Sequence, residues 1–458
     1  MSDQFDSPDI NVTVQHLIHL LDNDRIDAAV DLLLDMHKAD QAEAFNELNE
    51  NQQDALLQKF ARLDAPAAAD LLEELADKEV LEAVDVFATA QLADLLDEME
   101  PDEAADLLGD MPPDQANAVL AEMEDAAEVI PLLGYPDESA GGRMTTAFIA
   151  LRRQTTAEQA IQFLRQVSPE AEVPYYLYVI DRERRLVGVV GLRDLIIANP
   201  SNTMENILNP DVVHIGVGVD QEEVARIMTR YDLVAIPVVN EQNRLVGVIT
   251  HDDILDVLEE EATEDIYRLG NVTDNTLEPD SSVVDQMRGR LPWLFLNTLT
   301  ALFASWIVSN FESLIAEVAI LAAFPSLVAG LGGNSASQNI VMVVRSLALG
   351  KMDSRRLWRV LGRQLIIGFL QGMAVGAFVG IGVGFWQGNI TLGFVLFLSM
   401  IFSLMFSNIL GVLVPIFVMA VGKDPALASS VLVTAATDSF GFFIFLILAS
   451  TYIRLLAI

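Results

Sequence analysis

DPALASSVLVTAATDSFGFFIFLILASTYIRLL, residues 424–456, is an apolar stretch long enough to cross a bilayer, and it carries an acid, Asp438, near its middle. Apolar side chains surround this acid, among them Val433 before it and Phe440 after it. A carboxylate at such depth is costly and normally faces a bundle interior or a water-filled path, where it marks function. The alternatives are an acid near a helix end or a structural acid bonded to a neighbouring helix. Asp438 is therefore the first candidate functional residue.

Charge divides the chain into a soluble part and a membrane part. The 458 residues carry a net charge of −39, although 52% of them are hydrophobic. Residues 291–458 have a net charge of +3, so residues 1–290 have a net charge of −42. Such an acidic body attracts cations and repels nucleic acid, so we expect no nucleic-acid partner. Solubility alone, or adaptation to high salt, would give the same composition.

Two further absences in the sequence limit the possible functions. The chain has no cysteine, which excludes disulfides and thiolate metal sites. The first residues, MSDQFDSPDI, lack the basic and apolar regions of a cleaved signal, so we expect none. A cation site in this chain must therefore be built from oxygen or imidazole ligands.

Acidic blocks follow one another with a period of 12 residues in the first part of the chain. Prolines lie between several blocks, where proline suits the first turn of a helix. Short amphipathic helices at a fixed period stack into a solenoid, because one repeat alone does not bury its apolar face. We expect a flexible N-terminal segment at 1–22, loosely ordered at first and helical from about Val14, and an α-solenoid N-domain at 23–134, whose acidic face is either a scaffold surface or a cation-binding surface. The blocks are AADLLEEL (68–75), VLEAVDVF (80–87), LADLLDEM (92–99), AADLLGDM (104–111) and ANAVLAEM (116–123).

Two α/β units related by an offset of 59 residues come next. LYVIDRERRLVGVVGLRDLI (177–196) aligns with IPVVNEQNRLVGVITHDDIL (236–255). Each copy predicts a β-hairpin followed by a helix start, and a helix precedes each hairpin, at 156–167 and 221–230. The pattern closely resembles a tandem pair of CBS domains, which we expect over residues 135–250.

The resemblance to CBS domains implies a regulatory module that binds ATP or another adenosine nucleotide. The nucleotide motif of that family places Ser or Thr three residues before Asp, and Thr250 and Asp253 match it. The first copy has Gly191 and Asp194 at the corresponding positions and departs from the motif. No constellation of catalytic residues occurs here, and we expect regulation rather than an enzyme.

HDDILDVLEEEATEDIYRLG (251–270) predicts one uninterrupted helix that connects the soluble and membrane parts, within a connecting (plug) segment at 251–275. Eight acids lie between residues 252 and 265, and acids three positions apart share a face of the helix. Like charges this dense destabilise a helix unless cations are present. The helix is either a cation sensor or an ordinary solvated helix.

A transmembrane domain of five helices is expected over residues 276–458. Each apolar run reaches the roughly 20 residues that a span requires. The loop between the second and third spans is rich in arginine, whereas 387–390 carries no charge. The positive-inside rule then places the soluble part in the cytoplasm and the C-terminus outside, in a plasma (inner) membrane. The expected spans are 291–311, 314–342, 358–386, 391–421 and 426–454.

PSLVAGLGGNSASQ (325–338) predicts irregular backbone within the second span. Non-helical backbone at membrane depth is tolerated where protein buries it or where it lines a water-filled cavity. The carbonyl groups of such a segment, together with Asn334, would be oxygen ligands for a cation. The alternative is that the small residues allow helices to pack closely.

Over nearly its whole length the chain resembles an MgtE-type magnesium channel, in the order of its parts and in three motifs. These are YPDESAGGRMTT (135–146), PSLVAGLGGNSASQ (325–338) and DPALASSVLVTAATDSFG (424–441). The chain has Ala336 and Val431 where the family usually has Gly and Pro. The resemblance implies a homodimer with a pore along its axis, lined by spans two and five.

Site residues also follow from the resemblance to this family. The pore acid falls on Asp438, with associated positions at Gly330, Asn334 and Thr434. The sensor acids of the connecting helix fall on Asp253, Asp256, Glu261, Glu264 and Asp265.

The combined prediction is a Mg²⁺-selective channel or transporter that mediates uptake and is closed when cytoplasmic Mg²⁺ binds the acidic soluble surfaces. Mg²⁺ prefers octahedral oxygen ligands and loses water reluctantly, so we expect it to pass largely hydrated. Mn²⁺ and Co²⁺ suit the same oxygens, and membrane lipid is the other expected partner. One alternative is a CBS-regulated secondary transporter for another divalent cation or solute. The other is a membrane-anchored nucleotide sensor without transport.

Overall fold

In the computed structural model, the described residues are 10–452 without 76, 85, 168–175, 274–276, 278, 280, 349, 353, 427 and 428. The chain divides into two units, of which the first ends at Val257 and the second begins at Leu258. The boundary falls inside a single helix, His251–Leu269.

Short helices in two layers make up the start of the first unit. Helices α5 to α9 begin at residues 65, 77, 89, 101 and 113, which confirms the predicted period of 12. Helix α5 packs on α7 and α7 on α9, while α6 packs on α8, so alternate helices form the two layers. Leucine and alanine side chains form the core between them. The helices are α1 (Ile10–Asp22), α2 (Ile26–Leu34), α3 (Lys38–Asn46), α4 (Glu50–Leu63), α5 (Ala65–Glu73), α6 (Asp77–Val84), α7 (Thr89–Leu96), α8 (Pro101–Asp110), α9 (Pro113–Leu120) and α10 (Ala126–Val129).

The helical body starts earlier than the sequence suggested. Within the expected flexible segment 1–22 a helix was expected from about Val14, and helix α1 begins four residues earlier, at Ile10. Its apolar stripe, Val14, Leu17 and Leu20, is buried in the same core as the later repeats. Residues 1–9 of the expected flexible segment lie outside the described residues.

Two small sheets related by the predicted offset of 59 residues follow the helices. In each sheet the first strand is parallel to the second, and the second forms an antiparallel hairpin with the third. The hairpin turns meet, because Leu186 N–H donates to Asn243 O and Leu245 N–H donates to Arg184 O, both at 3.1 Å. These sheets confirm the tandem α/β repeat. The elements are β1 (Ala150–Arg152), α11 (Ala157–Val167), β2 (Tyr176–Ile180), β3 (Leu186–Gly191), α12 (Leu192–Ile197), α13 (Met204–Ile207), β4 (Ile215–Gly216), α14 (Gln221–Tyr231), β5 (Ala235–Val239) and β6 (Leu245–Thr250).

Long apolar helices dominate the second unit. Five segments of the described chain are long and apolar enough to cross a membrane, in agreement with the predicted number. The first begins at Val283 and so includes the two basic residues that were expected to precede it, Arg288 and Arg290. The elements are α15 (His251–Leu269, which starts in the first unit), α16 (Val283–Ser309), α17 (Glu312–Glu317), a 3₁₀ turn (Ala319–Ala323), α18 (Pro325–Ala348), α19 (Ser354–Gln387), α20 (Ile390–Ala420) and α21 (Ser429–Thr451).

The glycine-rich stretch 325–338 is helical, so the expectation of irregular backbone there was wrong. It forms the first part of α18, and the irregular segment lies before it, at the 3₁₀ turn. A methyl group on Gly332 would lie 2.7 Å from Ser407 Oγ and 2.9 Å from Ser403 Oγ of α20. Glycine is required there because α20 approaches the backbone of α18 closely, as small residues allow in membrane helices.

Candidate functional site

Helices α18 and α21 cross at the level of the candidate pore residues. A Cβ on Gly441 would lie 2.8 Å from the Cα of Ala329, and one on Gly333 would lie 3.7 Å from Thr437 Oγ1. Gly330 and Asn334 each follow a contact residue of α18, and Asp438 follows Thr437 on α21. The crossing therefore places these three predicted residues at neighbouring levels of one helix pair.

The predicted pore residues are accessible in the single chain although they lie within apolar spans. Gly330, Asn334 and Thr434 are exposed, and Asp438 is half-buried. Gly330 and Asn334 are four residues apart on α18, as are Thr434 and Asp438 on α21, so each pair forms a stripe along one face of its helix. Polar groups that face lipid are unfavourable, so these two stripes require another partner.

The helical backbone changes the expected ligand set. Carbonyl groups inside an α-helix accept hydrogen bonds from the residue four positions later. Gly330 lies inside α18, so its carbonyl is engaged in the helix instead of projecting as a free ligand. Side-chain oxygens and water therefore remain as the groups that meet a cation here. Both departures from the family pattern, Ala336 and Val431, are buried in the single chain. Val431 lies three residues before Thr434 and seven before Asp438, so it is on their side of α21.

A buried acid cluster lies in the first unit, formed by Asp102 and Glu103 of α8 and Asp253 of α15. Asp102 is 6% exposed, and its Oδ1 has no hydrogen-bond partner among the described residues. Asp253 accepts hydrogen bonds from the Thr250 hydroxyl at 2.7 Å and from the Thr250 N–H at 2.9 Å. The Thr250–Asp253 pair that matched the nucleotide motif thus caps the start of α15.

Burial and mutual repulsion raise the pKa of all three carboxyl groups in the buried acid cluster. Burial is the largest cause for Asp102, whose pKa lies well above its ordinary value, and Asp253 and Glu103 add to it. Burial also raises the pKa of Glu103 to about 8, with further contributions from Asp106 and Glu73. The pKa of Asp253 is raised by burial, although its hydrogen bonds from Thr250 oppose this. Ionisation of these groups is therefore unfavourable without a partner, and a bound cation would stabilise the ionised form.

The pKa of Glu103 predicts that, without divalent cations, helix α8 becomes less stable as the pH rises. Folding raises this pKa from about 4.5 to about 8. The contribution of Glu103 to the free energy of unfolding is fully present below about pH 4.5 and is lost as the pH rises through about 8. Hydrogen exchange of the full chain in EDTA, corrected for the intrinsic pH dependence, measures this on peptides that cover α8. We expect falling protection from pH 5 to 8 in the wild type and a flatter profile in Glu103→Gln. Equal profiles for both proteins would contradict the assignment, and peptides from α2 serve as the internal reference.

A second group of charges lies in the second unit, where α15 ends. Arg268 forms ion pairs with Glu264 on its own helix and with Asp424, which precedes α21. Ser430 Oγ donates to Asn271 Oδ1 at 2.7 Å in the same region. Burial, together with the carboxylates of Asp424 and Glu261, raises the pKa of Asp265 to about 6. The end of the acidic helix is thus bonded to the start of the helix that carries Asp438.

The five predicted sensor acids fall into two groups instead of one site. Asp253 and Asp256 interact in the first unit, and Glu261 and Asp265 interact in the second. No group of three or more His, Cys, Asp or Glu side chains in the described part of the chain has the arrangement of a metal site. Asp102, Glu103, Arg268 and Asp424 were not predicted as members of these groups.

Sequence models of three families match successive parts of the chain. The MgtE intracellular N domain matches residues 36–138, the CBS domain matches 140–200 and 204–260, and the divalent cation transporter family MgtE matches 326–448. The magnesium transporter MgtE of Thermus thermophilus is 40% identical over 324 residues, which cover 70% of this chain and 72% of that protein. The magnesium transporter MgtE of Enterococcus faecalis is 36% identical over 331 residues, which cover 72% and 73% of the two chains.

Two solved structures resemble the soluble part. One is the cytosolic domain of the Mg²⁺ channel MgtE in complex with ATP, which is 36% identical and has a TM-score of 0.50. The match covers 53% of this chain and 99% of that one. The other is the soluble part of a magnesium transporter, 33% identical with a TM-score of 0.50, covering 55% and 99% of the two chains.

Proposed function

Because this chain belongs to the MgtE family of divalent cation transporters, we propose that it conducts Mg²⁺ through a pore lined by α18 and α21. The observation that carries the proposal is the exposure of Asn334 and Thr434, beside the half-buried Asp438, within apolar spans. In a homodimer these stripes would face their counterparts across a two-fold axis and would be separated from lipid. Mg²⁺ transport, five membrane spans and a cytosolic N-domain follow from family membership.

Asp438 would balance the charge of the ion in this pore, and Asn334 and Thr434 would contact its water molecules. Mg²⁺ is bound in proteins through one or two carboxylates and several waters, since it dehydrates reluctantly. Two Asp438 carboxylates, one from each subunit, match that requirement. The cation would also stabilise the acids, which are otherwise costly at this depth. Mn²⁺ and Co²⁺ would use the same oxygens.

Closure would follow from Mg²⁺ binding to the acidic soluble surfaces. Asp102 and Asp253 provide the two carboxylates of one regulatory site, and the unpartnered Asp102 Oδ1 is available to a hydrated ion. Glu261 and Asp265 would provide the two carboxylates of a second site near the membrane, and Glu264, which is paired with Arg268, lies on the same helix beside them. A ligand shifts an equilibrium between open and closed states only by binding one of them more tightly, and closely approaching acids supply that difference.

Arg268 would compete with Mg²⁺ for the carboxylates of Glu264 and Asp424, because it pairs with both of them. We therefore predict that Arg268→Gln lowers the Mg²⁺ concentration for half-closure about threefold, as expected for a partly exposed ion pair. Patch-clamp recording with varied cytoplasmic Mg²⁺ measures this concentration. Arg288→Gln is the matched control, since Arg288 pairs with Asp285 at 3.8 Å and is largely exposed. An increased or unchanged concentration for Arg268→Gln would contradict the competition.

An adenosine nucleotide such as ATP is the proposed second ligand of the CBS pair. The structure of the relative in complex with ATP supports this, as does the match of Thr250 and Asp253 to the family motif. Asp253 would then belong to both a nucleotide site and a cation site. Binding of one ligand would change the affinity of the other through this shared residue.

Ion flux into liposomes that contain the purified protein tests the proposed transport. We expect Mg²⁺ entry that follows the electrochemical gradient and decreases when Mg²⁺ is present on the cytoplasmic side. Coupling of the flux to a gradient of H⁺ or Na⁺ would instead support a secondary transporter. In a plasma (inner) membrane, the basic residues that flank the connection between α18 and α19, such as Arg345 and Arg356, would face the cytoplasm, with the C-terminus outside.

A further inference from the structure

A network of four polar side chains joins α18, α19 and α20, and three of the four are buried while Gln371 is half-buried. Its centre is Asn408 of α20, whose Nδ2 donates to Ser335 Oγ at 2.8 Å and to Gln371 Oε1 at 3.1 Å. Asn339 Nδ2 donates to Asn408 Oδ1 at 2.7 Å, and Ser335 Oγ donates to Gln371 Oε1 at 3.1 Å. Asn339 is 3% exposed and Asn408 is 1% exposed. The network therefore joins three spanning helices, and its members on α18 and α20 are buried in the single chain.

The network determines which way α18 faces. Ser335 and Asn339 are four residues apart and form one stripe of α18, whereas Gly330 and Asn334 form another. Successive helix residues are rotated by about 100°, so the centres of these two stripes are separated by about 140°, more than a third of a turn. Holding the first stripe against Asn408 and Gln371 therefore fixes the direction in which Asn334 points.

Apolar packing alone would specify this rotation poorly. Lipid tails are as apolar as leucine, so the association of membrane helices depends on close packing and on hydrogen bonds. Close packing and hydrogen bonds here act on the same pair of helices, α18 and α20. The packing is close, because a Cβ on Gly411 would lie 2.6 Å from Ala336 O and 2.8 Å from Asn339 Cβ. The close approach sets the distance between α18 and α20, and the amide network sets the rotation.

We infer that Asn408, together with Gln371 and Asn339, is a positioning group that sets the ion preference of the pore. The inference rests on the proposed pore, because it acts through the direction of Asn334. Mg²⁺ holds its oxygens at about 2.0–2.1 Å in a rigid octahedron, whereas Ca²⁺ accepts 2.3–2.6 Å and irregular geometry. In the proposed pore the oxygens nearest to Mg²⁺ are those of its waters, and Asn334 contacts this rigid water shell. A change in the direction of Asn334 therefore disturbs the contacts of hydrated Mg²⁺ more than those of Ca²⁺, whose shell is adaptable.

The test compares Mg²⁺ and Ca²⁺ flux in liposomes that contain the full-length protein, measured with indicators inside. Asn408→Leu removes the centre of the network, and Gln371→Met removes only the two bonds that Gln371 accepts. We expect the Mg²⁺-to-Ca²⁺ flux ratio to fall about three- to tenfold in Asn408→Leu and by less in Gln371→Met. Ser399→Ala is the matched control: Ser399 is fully buried on α20, and its hydroxyl donates within α20, to Val395 O at 2.7 Å.

Thermal stability, measured in detergent on the same proteins, separates positioning from a purely structural role. Lowered melting temperatures with unchanged flux ratios in both network variants would overturn the inference. If Asn408→Leu does not fold, Gln371→Met alone tests the inference. A lowered Mg²⁺-to-Ca²⁺ flux ratio in Gln371→Met would support it, and an unchanged ratio would overturn it. Absence of Mg²⁺ flux in the wild type would overturn the proposed function itself, which distinguishes the two failures.

Discussion

Asp438→Asn is expected to reduce Mg²⁺ flux by about 100-fold, the largest functional effect of any single substitution in the chain. The change keeps the shape of the side chain but removes one negative charge from each subunit of the proposed dimer. Loss of charge compensation for a partly desolvated ion corresponds to about 3 kcal/mol. Flux into liposomes under a fixed Mg²⁺ gradient measures the loss, with the amount of reconstituted protein determined in parallel.

The neighbouring residue provides the control for this substitution. Ser439→Ala removes a buried hydroxyl that has no hydrogen-bond partner among the described residues, and it should leave flux unchanged. Asp438→Asn should be at least as thermally stable as the wild type without Mg²⁺, because it removes an uncompensated charge from the membrane interior. Substantial Mg²⁺ flux through a folded Asp438→Asn protein would refute the role of this acid and favour a sensor without transport.

The second large effect is expected in the soluble unit, where Asp102→Asn combined with Asp253→Asn should abolish the stabilisation by Mg²⁺. Without divalent cations the double variant should melt at a higher temperature than the wild type, since it no longer buries repelling carboxylates. With Mg²⁺ at 100 times its dissociation constant, the wild type gains about 2.7 kcal/mol and the variant gains little. The two melting curves, plotted against Mg²⁺ concentration, should therefore cross.

The 12-residue repeat offers a closely matched control for this experiment. Asp114 occupies the position in α9 that Asp102 occupies in α8, immediately after the first proline of the helix, but it is exposed. Asp114→Asn should therefore leave both the metal-free stability and the Mg²⁺ response unchanged. Closure in patch-clamp recordings should require more Mg²⁺ in the double variant. A variant that retains the full Mg²⁺ stabilisation would show that the ions bind elsewhere.

The parts of the fold that were predicted correctly depend on local patterns. The helix period of 12, the two hairpins offset by 59 residues and the five spans are each encoded by residues close in sequence. The prediction of irregular backbone at 325–338 was wrong for a physical reason. Glycine occurs there because Ser403 and Ser407 approach the backbone, and its low helix propensity does not outweigh this tertiary packing.

The sequence alone indicated only some of the charged residues that form the two acid groups. Acids at both 102 and 103 distinguish one repeat from the others, but their burial depends on the approach of α15, which no local pattern reveals. Arg268 stands out as a base in an acidic helix, yet its partner Asp424 lies 156 positions later. Asn339 and Asn408 are 69 positions apart, so their pairing likewise required the structure.

The layered arrangement of α5 to α9 has a mechanical consequence. Each helix contacts its next-but-one neighbour, so a change at one repeat acts mainly on the nearest repeats, although all repeats share one hydrophobic core. The flexibility of such an array is set separately at each repeat. An ion bound at α8 would stiffen the array at that repeat, near its C-terminal end, and leave the earlier repeats free to flex.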